Sequence, residues 1–391
     1  MGRMNIDKKT TNGLVYTWII IILADYMFYM HTSLSSRLYG IMVICSFIYI
    51  LIKNNYTLKI TKYILFVYFL EGIVVLFTFV NNRVTYSYLC ALIAELLLTM
   101  YIVENLRNNR IYIIDIFSKA FLIMFIADII SVIFCLISKK YDNASFGLVG
   151  HKNYHSFLFL LTLMFNSISL ELKHDNPVNF KIILISIISI ITEVLVDSAS
   201  GIVAIFLYML LLVLMQLKKI KFINLYTILI GLFIVNYIIV IAMSKNSVFS
   251  FIFSMLGRDA GLSGRSTMWN LALELIKKNF FGGYGFAKEI SYYNPGTTQW
   301  VMNHCHNFFL NLLLTGGIIY FVIYLLFLFK IAGKLKHNKS RVSYIITYGI
   351  GCYLLLGISE IIVNVNSMLI PLLTFGYFVD YLTEEQGGVV S

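Results

Sequence analysis

Three polar constellations in this chain hold residue types able to do chemistry. Gly264-Arg265-Ser266-Thr267-Met268-Trp269 sets an arginine before a helical pattern in which Trp269, Ala272, Leu273 and Ile276 recur and Glu274, Lys277 and Lys278 are polar. Free amides and the dipole at a helix N-terminus favour an anion, and a guanidinium adds a fork matched to phosphate oxygens. The competing reading is an arginine that snorkels to anchor the helix at headgroups. His304-Cys305-His306-Asn307 stands just before an apolar run that begins at Phe308. The positive end of a helix there disfavours imidazolium, so His306 would stay able to accept a proton, as a general base must. A zinc site at His304, Cys305 and His306, or an Asn-His helix cap, are the alternatives; the outer loops offer no convincing second pair of zinc ligands. Gly147-Leu148-Val149-Gly150-His151-Lys152-Asn153-Tyr154-His155 puts two histidines and a lysine at another helix start, where interfacial decoration is the bland reading. Asp197-Ser198-Ala199-Ser200-Gly201 alone says only that the chain turns tightly.

Long apolar runs must position these groups. Runs able to span a ~30 Å hydrocarbon core at ~1.5 Å per residue fall near 14–32, 38–53, 63–80, 86–103, 116–138, 154–171, 180–197, 200–217, 222–243, 307–331, 343–361 and 365–382. Of the 391 residues 59% are hydrophobic and 13% charged, about half the charge of a soluble domain. The fold class expected is therefore all-α, a polytopic integral membrane protein of about twelve transmembrane helices. Residues 1–391 form one membrane domain, and the polar stretch 244–306 forms a large extracytoplasmic loop. That loop contains Gly257-Arg258, Gly282-Gly283-Tyr284-Gly285 and an interfacial amphipathic helix over about 265–279.

A formal net charge of +11 would suggest nucleic acid in a soluble chain. Here the cations sit in short loops, where they set orientation instead, and nucleic-acid binding is excluded. With the N-terminus inside, the cytoplasmic segments carry 18 Lys and Arg and the short outer loops five. Both termini are then cytoplasmic. Four of the five cysteines lie within apolar runs without paired spacing, so no disulfide framework is expected, nor is a cleavable signal. Asp25, Glu71, Glu95, Asp128 and Glu193 fall inside apolar runs, where pairing between helices or a role in catalysis are the two readings.

The order of motifs is informative. Gly-x-Lys-Asn, Ser-x-Ser-Gly in a tight hairpin, Gly-Arg-x-x-x-Trp, Gly-Gly-Tyr-Gly, then His-Asn before a span with Gly316-Gly317 resembles the O-antigen polymerase and O-antigen ligase family over roughly 147–317. These are C-type membrane glycosyltransferases that act outside the cytoplasmic membrane. The resemblance implies that Arg265 holds a lipid-linked pyrophosphate and that His306 is the catalytic residue of transfer. Relatives commonly carry an arginine where this chain has Ala199; Arg258 or Lys152 would replace it, or the pyrophosphate is held differently. Trp269, Tyr284, His304, Asn307 and His151 are the candidate substrate-binding residues around them, and Tyr292, Tyr293 and Trp300 offer further aromatic faces. Donor and acceptor would be polyprenyl-pyrophosphate-linked glycans in the lipid bilayer. The implied product is a capsular or O-antigen-type polysaccharide made at the outer face of a bacterial cytoplasmic membrane. A repeat-unit flippase and a chain-length regulator would be partners. No cofactor is expected, and no metal is needed where arginines neutralise pyrophosphate. A ligase sharing the chemistry, a flippase for the lipid-linked unit and an envelope scaffold are the alternatives.

The charge asymmetry yields a direct test. A reporter fused after Ser391 is expected to behave as cytoplasmic, and an externally accessible C-terminal tag would invert the whole arrangement.

Overall fold

A computed structural model describes residues 60–81, 86–138, 145–217, 223–245, 265–285, 290–292, 300–302, 305–360 and 365–383. The helices are α1 (Lys62–Val80), α2 (Tyr86–Asn108), α3 (Arg110–Ser138), α4 (His155–Leu172), α5 (Phe180–Leu195), α6 (Ala199–Gln216) and α7 (Leu225–Lys245). They continue with α8 (Arg265–Lys278), α9 (Phe308–Asn338), α10 (Arg341–Ser359), α11 (Val365–Tyr377) and α12 (Val379–Thr383). Two short antiparallel pairs accompany them among the described residues. β1 (Ser145–Phe146) pairs with β2 (Gly150–His151), and β3 (Ile290–Tyr292) pairs with β4 (Trp300–Met302), setting Tyr292 opposite Trp300.

Among the described residues six helices are long and apolar enough to cross a membrane, namely α1, α3, α4, α6, α9 and α10. Helices also cover the other expected runs from 86 onward, but α5 has 16 residues and α11 has 13. The runs near 14–32 and 38–53 lie outside the described residues. Polar side chains start several helices. Thr61, Asn179, Asn307 and Ser340 each accept a hydrogen bond from the amide three residues on, satisfying a donor that the helix leaves open.

Burial sorts the spans into two kinds. In α4 and α10, 83% of the apolar window is inside the protein, against 33–44% in the other four. These two are also the least apolar of the six. A helix that meets only other helices can carry Thr162 and Asn166, because the neighbouring α3 satisfies them, Thr162 Oγ1 donating to the Phe121 carbonyl at 3.2 Å; a lipid-facing helix cannot. Thus Asn166 accepts from Ser118 of α3 at 2.9 Å. The outer helices have two faces. On α3, Phe117, Phe121, Met124 and Asp128 point inward, while Ile123, Ile126, Ile130, Phe134 and Ile137 are exposed at helical spacing.

Helix α9 is broken at Gly317, which has φ 64° and ψ −166°. The segment after α8 repairs the break. Tyr284 N–H donates to the Leu314 carbonyl at 2.7 Å, Gly285 N–H to Thr315 at 2.8 Å, and Ile318 N–H to the Phe280 carbonyl at 2.8 Å. An interrupted helix at membrane depth is tolerated when protein groups take up the freed backbone. Two backbones must approach closely for this. A Cβ on Gly283 would lie 2.6 Å from the Gly317 nitrogen, and one on Gly317 2.3 Å from the Phe281 oxygen. The Gly-Gly-Tyr-Gly motif and the Gly316-Gly317 pair are therefore two sides of one contact.

Helix α8 packs through Trp269, Ala272, Leu275 and Ile276 against Val240 of α7 and against Cys305, Leu310 and Leu314. Its apolar face is taken up by protein, and Leu273, on the edge of the expected stripe, is half-buried.

Gly317→Ala should lower the melting temperature in detergent. Holding an alanine in this glycine-only region costs ~1–3 kcal/mol before the clash is counted. Gly231→Ala on α7, where an added Cβ meets nothing within 4 Å, should be neutral or slightly stabilising. Equal melting of the two variants would mean that the loop and the broken helix are not locked together.

Candidate active site

The site forms at one end of the bundle around Glu360, the residue that caps α10. Its backbone leaves the helix in an extended conformation, φ −137° and ψ 157°, while its N–H still reaches the Leu356 carbonyl. The side chain is 1% exposed. One carboxylate oxygen accepts from Arg265 Nη2 and from Asn153 Nδ2. The other meets His306 Nδ1 at 3.0 Å. An arginine from the start of α8, an asparagine from the approach to α4 and a histidine from the approach to α9 thus converge on one buried anion. A carboxylate so enclosed requires charged or strong donors around it.

The local chain explains how each arrives. His306 adopts φ 46°, a left-handed conformation uncommon for a residue with a side chain. Its neighbours pin it there. Asn307 caps α9 by accepting from Leu310 N–H at 3.0 Å and donates to Asn236 Oδ1 at 2.6 Å and to the Ile358 carbonyl at 3.0 Å. The Cys305 carbonyl accepts from the Trp269 indole at 2.8 Å. That bond ties the first turn of α8, and with it Arg265, to the residue before His306. Arg265 and His306 keep partial access, at 16% and 20% exposure.

The expected site residues divide on this geometry. Arg265 and His306 meet at Glu360. Trp269 and Asn307, expected to touch substrate, are instead inside the protein, at 1% and 0% exposure. Their polar atoms hold Cys305, Asn236 and Ile358, so they position the site without lining it. Tyr284 is half-buried and its hydroxyl donates to the Leu275 carbonyl at 3.0 Å. Lys152 stands at the site's edge, 3.3 Å from Asp197 of the tight hairpin. Of the two histidines four apart, His155 is buried against Asp128, and only the backbone of His151 is described. Arg258 and His304 lie outside the described residues. Cys305 is poorly suited to metal binding, since burial pushes its thiol up to about 12 and its Sγ turns to the Asn307 carbonyl.

Glu360 and Asn153 were missed as site residues. Each had a signal. Glu360 is the only charged residue between Arg341 and Asp380, and Asn153 ends the Gly-x-Lys-Asn motif. Neither spacing nor type indicated that they would meet.

Comparison with known proteins bears on the same region. A family model described as O-Antigen ligase matches residues 184–325, a stretch that holds Arg265 and His306 but neither Asn153 nor Glu360. No curated protein and no solved structure matches the chain.

Glu360→Gln keeps the shape and removes the charge, weakening charge-assisted bonds worth ~1.5–3 kcal/mol each. It should depress the melting temperature in detergent well beyond Lys152→Met, whose exposed pair with Asp197 is worth ~0–1 kcal/mol. Equal melting shifts would remove Glu360 from the centre of the site.

Proposed function

Since the chain belongs to the O-antigen polymerase and ligase family, we propose that it joins polyprenyl-pyrophosphate-linked repeat units into a surface polysaccharide. The reaction takes place at the outer face of a bacterial cytoplasmic membrane. The observation that carries this reading is the convergence of Arg265 and His306 on buried Glu360.

The chemistry follows from the three groups. A hydroxyl of the incoming unit attacks the anomeric carbon of the glycan on its lipid carrier. The new glycosidic C–O bond forms as the bond from that carbon to the pyrophosphate oxygen breaks. The pyrophosphate departs with the bonding electrons, and the hydroxyl proton passes to His306. Hydrogen on Nδ1, directed at Glu360, makes Nε2 the basic nitrogen, and the carboxylate then stabilises the imidazolium that forms. Arg265 commits Nη2 to Glu360, and the rest of its guanidinium fork addresses the leaving diphosphate. Lys152 would assist by exchanging its weak pairing with Asp197 for phosphate oxygens. Arg258 is the other candidate cation for the place relatives give to an arginine at Ala199. His304 and His151 remain candidate contacts for sugar or phosphate. Ligation of a finished glycan to another acceptor uses the same chemistry, and the nature of the acceptor separates the two.

Arg265→Lys keeps the charge but loses the planar fork, so polymer yield should fall sharply if a diphosphate is gripped there. His306→Ala should lower the transfer rate by about 10²–10⁴ while the protein still inserts, and His304→Ala should be milder. Polymer is read on a gel with membrane abundance from the same cells. Normal polymer from His306→Ala at wild-type abundance would overturn the mechanism and favour a flippase.

A further inference from the structure

A second polar cluster lies behind the site and takes no part in the transfer described above. Asp128 on α3, His155 at the start of α4 and Glu193 in the last turn of α5 are all 0% exposed. Asp128 Oδ2 is 2.6 Å from His155 Nδ1. Ser156 and Ser198, also buried, stand beside Glu193. Burying two carboxylates with one imidazole is a poor way to stabilise a bundle, since desolvation offsets much of the attraction. Such a group is better suited to specifying geometry.

The two outer corners of the site both close on it. In the first, Gly147 is so near that an added Cβ would lie 3.3 Å from Asp128 Oδ1, and Leu148 N–H donates to Ser131 Oγ of α3 at 2.8 Å. That corner ends with Lys152 and Asn153, three and two residues before His155. In the second, a Cβ on Gly201 would lie 2.2 Å from Glu193 Oε2 and 2.3 Å from Ser156 Oγ. That corner presents Asp197, the partner of Lys152.

We propose that Asp128, His155 and Glu193 are positioning residues for the transfer site. By fixing the corner before α4 against the hairpin before α6, they hold Asn153 on Glu360 and so set the carboxylate that orients His306 and Arg265. This rests on the reaction proposed above. His155 acts through Asn153, so losing either should have the same consequence as losing both.

The test is a double-mutant cycle in the full-length protein with His155→Gln and Asn153→Ala. Each single variant should lower kcat for polymerisation of a lipid-linked repeat unit, by up to on the order of 10²-fold for a misplacement of ~1 Å. KM should change little. The double variant should be no worse than the more damaging single one. Losses that multiply, or a wild-type kcat in folded His155→Gln, would overturn the proposal. Should His155→Gln fail to accumulate, Asp128→Asn and Glu193→Gln, which keep side-chain volume, carry the same cycle. The four proteins are also compared by thermal melting in detergent, which needs no substrate: Asn153→Ala should add no further shift once His155 is replaced, and additive shifts would count against the coupling. A wild-type chain that makes no polymer would strike the assigned reaction, while the melting cycle would still decide the coupling.

Discussion

One carboxylate organises the working end of this protein. Glu360 is sealed from solvent, and its two oxygens are held by donors from three other parts of the chain. A buried anion cannot tolerate the loss of these donors, so the starts of α4, α8 and α9 are drawn to the end of α10 together. Bringing Arg265 and His306 together at one carboxylate follows from that electrostatic demand. Apolar packing would have been indifferent to where their polar ends pointed.

The surroundings make the convergence rigid. Asn307 links the first turn of α9 to α7 and α10, and the indole of Trp269 links α8 to the strand of chain before His306. On the far side of α8, the backbone of residues 280–285 replaces the hydrogen bonds that α9 loses at Gly317. Helix α8 is therefore held at both ends by main-chain groups, where side-chain packing alone would allow it to slide. The glycines allow that close approach, since a Cβ at either face would occupy the partner's backbone.

The bilayer explains how so polar an assembly is compatible with so apolar a chain. Helices α4 and α10, which carry polar residues through the centre, are shielded by α3, α6 and α9, whose outer faces are isoleucine, leucine, valine and phenylalanine. The four intramembrane carboxylates among the described residues, Glu71, Glu95, Asp128 and Glu193, are all turned inward. Charge at membrane depth is costly enough to decide which face of each helix meets lipid.

The sequence by itself determined the helical class, the membrane setting and the candidates Arg265 and His306, because hydropathy, helix-start chemistry and motif order are local properties written along the chain. It also marked Trp269, Asn307 and the glycine pairs as special without revealing that they support the site from inside. Only the tertiary structure decided that Glu360 and Asn153, 207 residues apart, share one hydrogen bond and that Arg265 and His306 share their carboxylate. It likewise decided that α8 lies against α7 and α9. The physical reason is that an ion pair between distant segments leaves no periodicity in sequence: its partners are selected by the cost of an unpaired buried charge, and that cost exists only once the helices have packed.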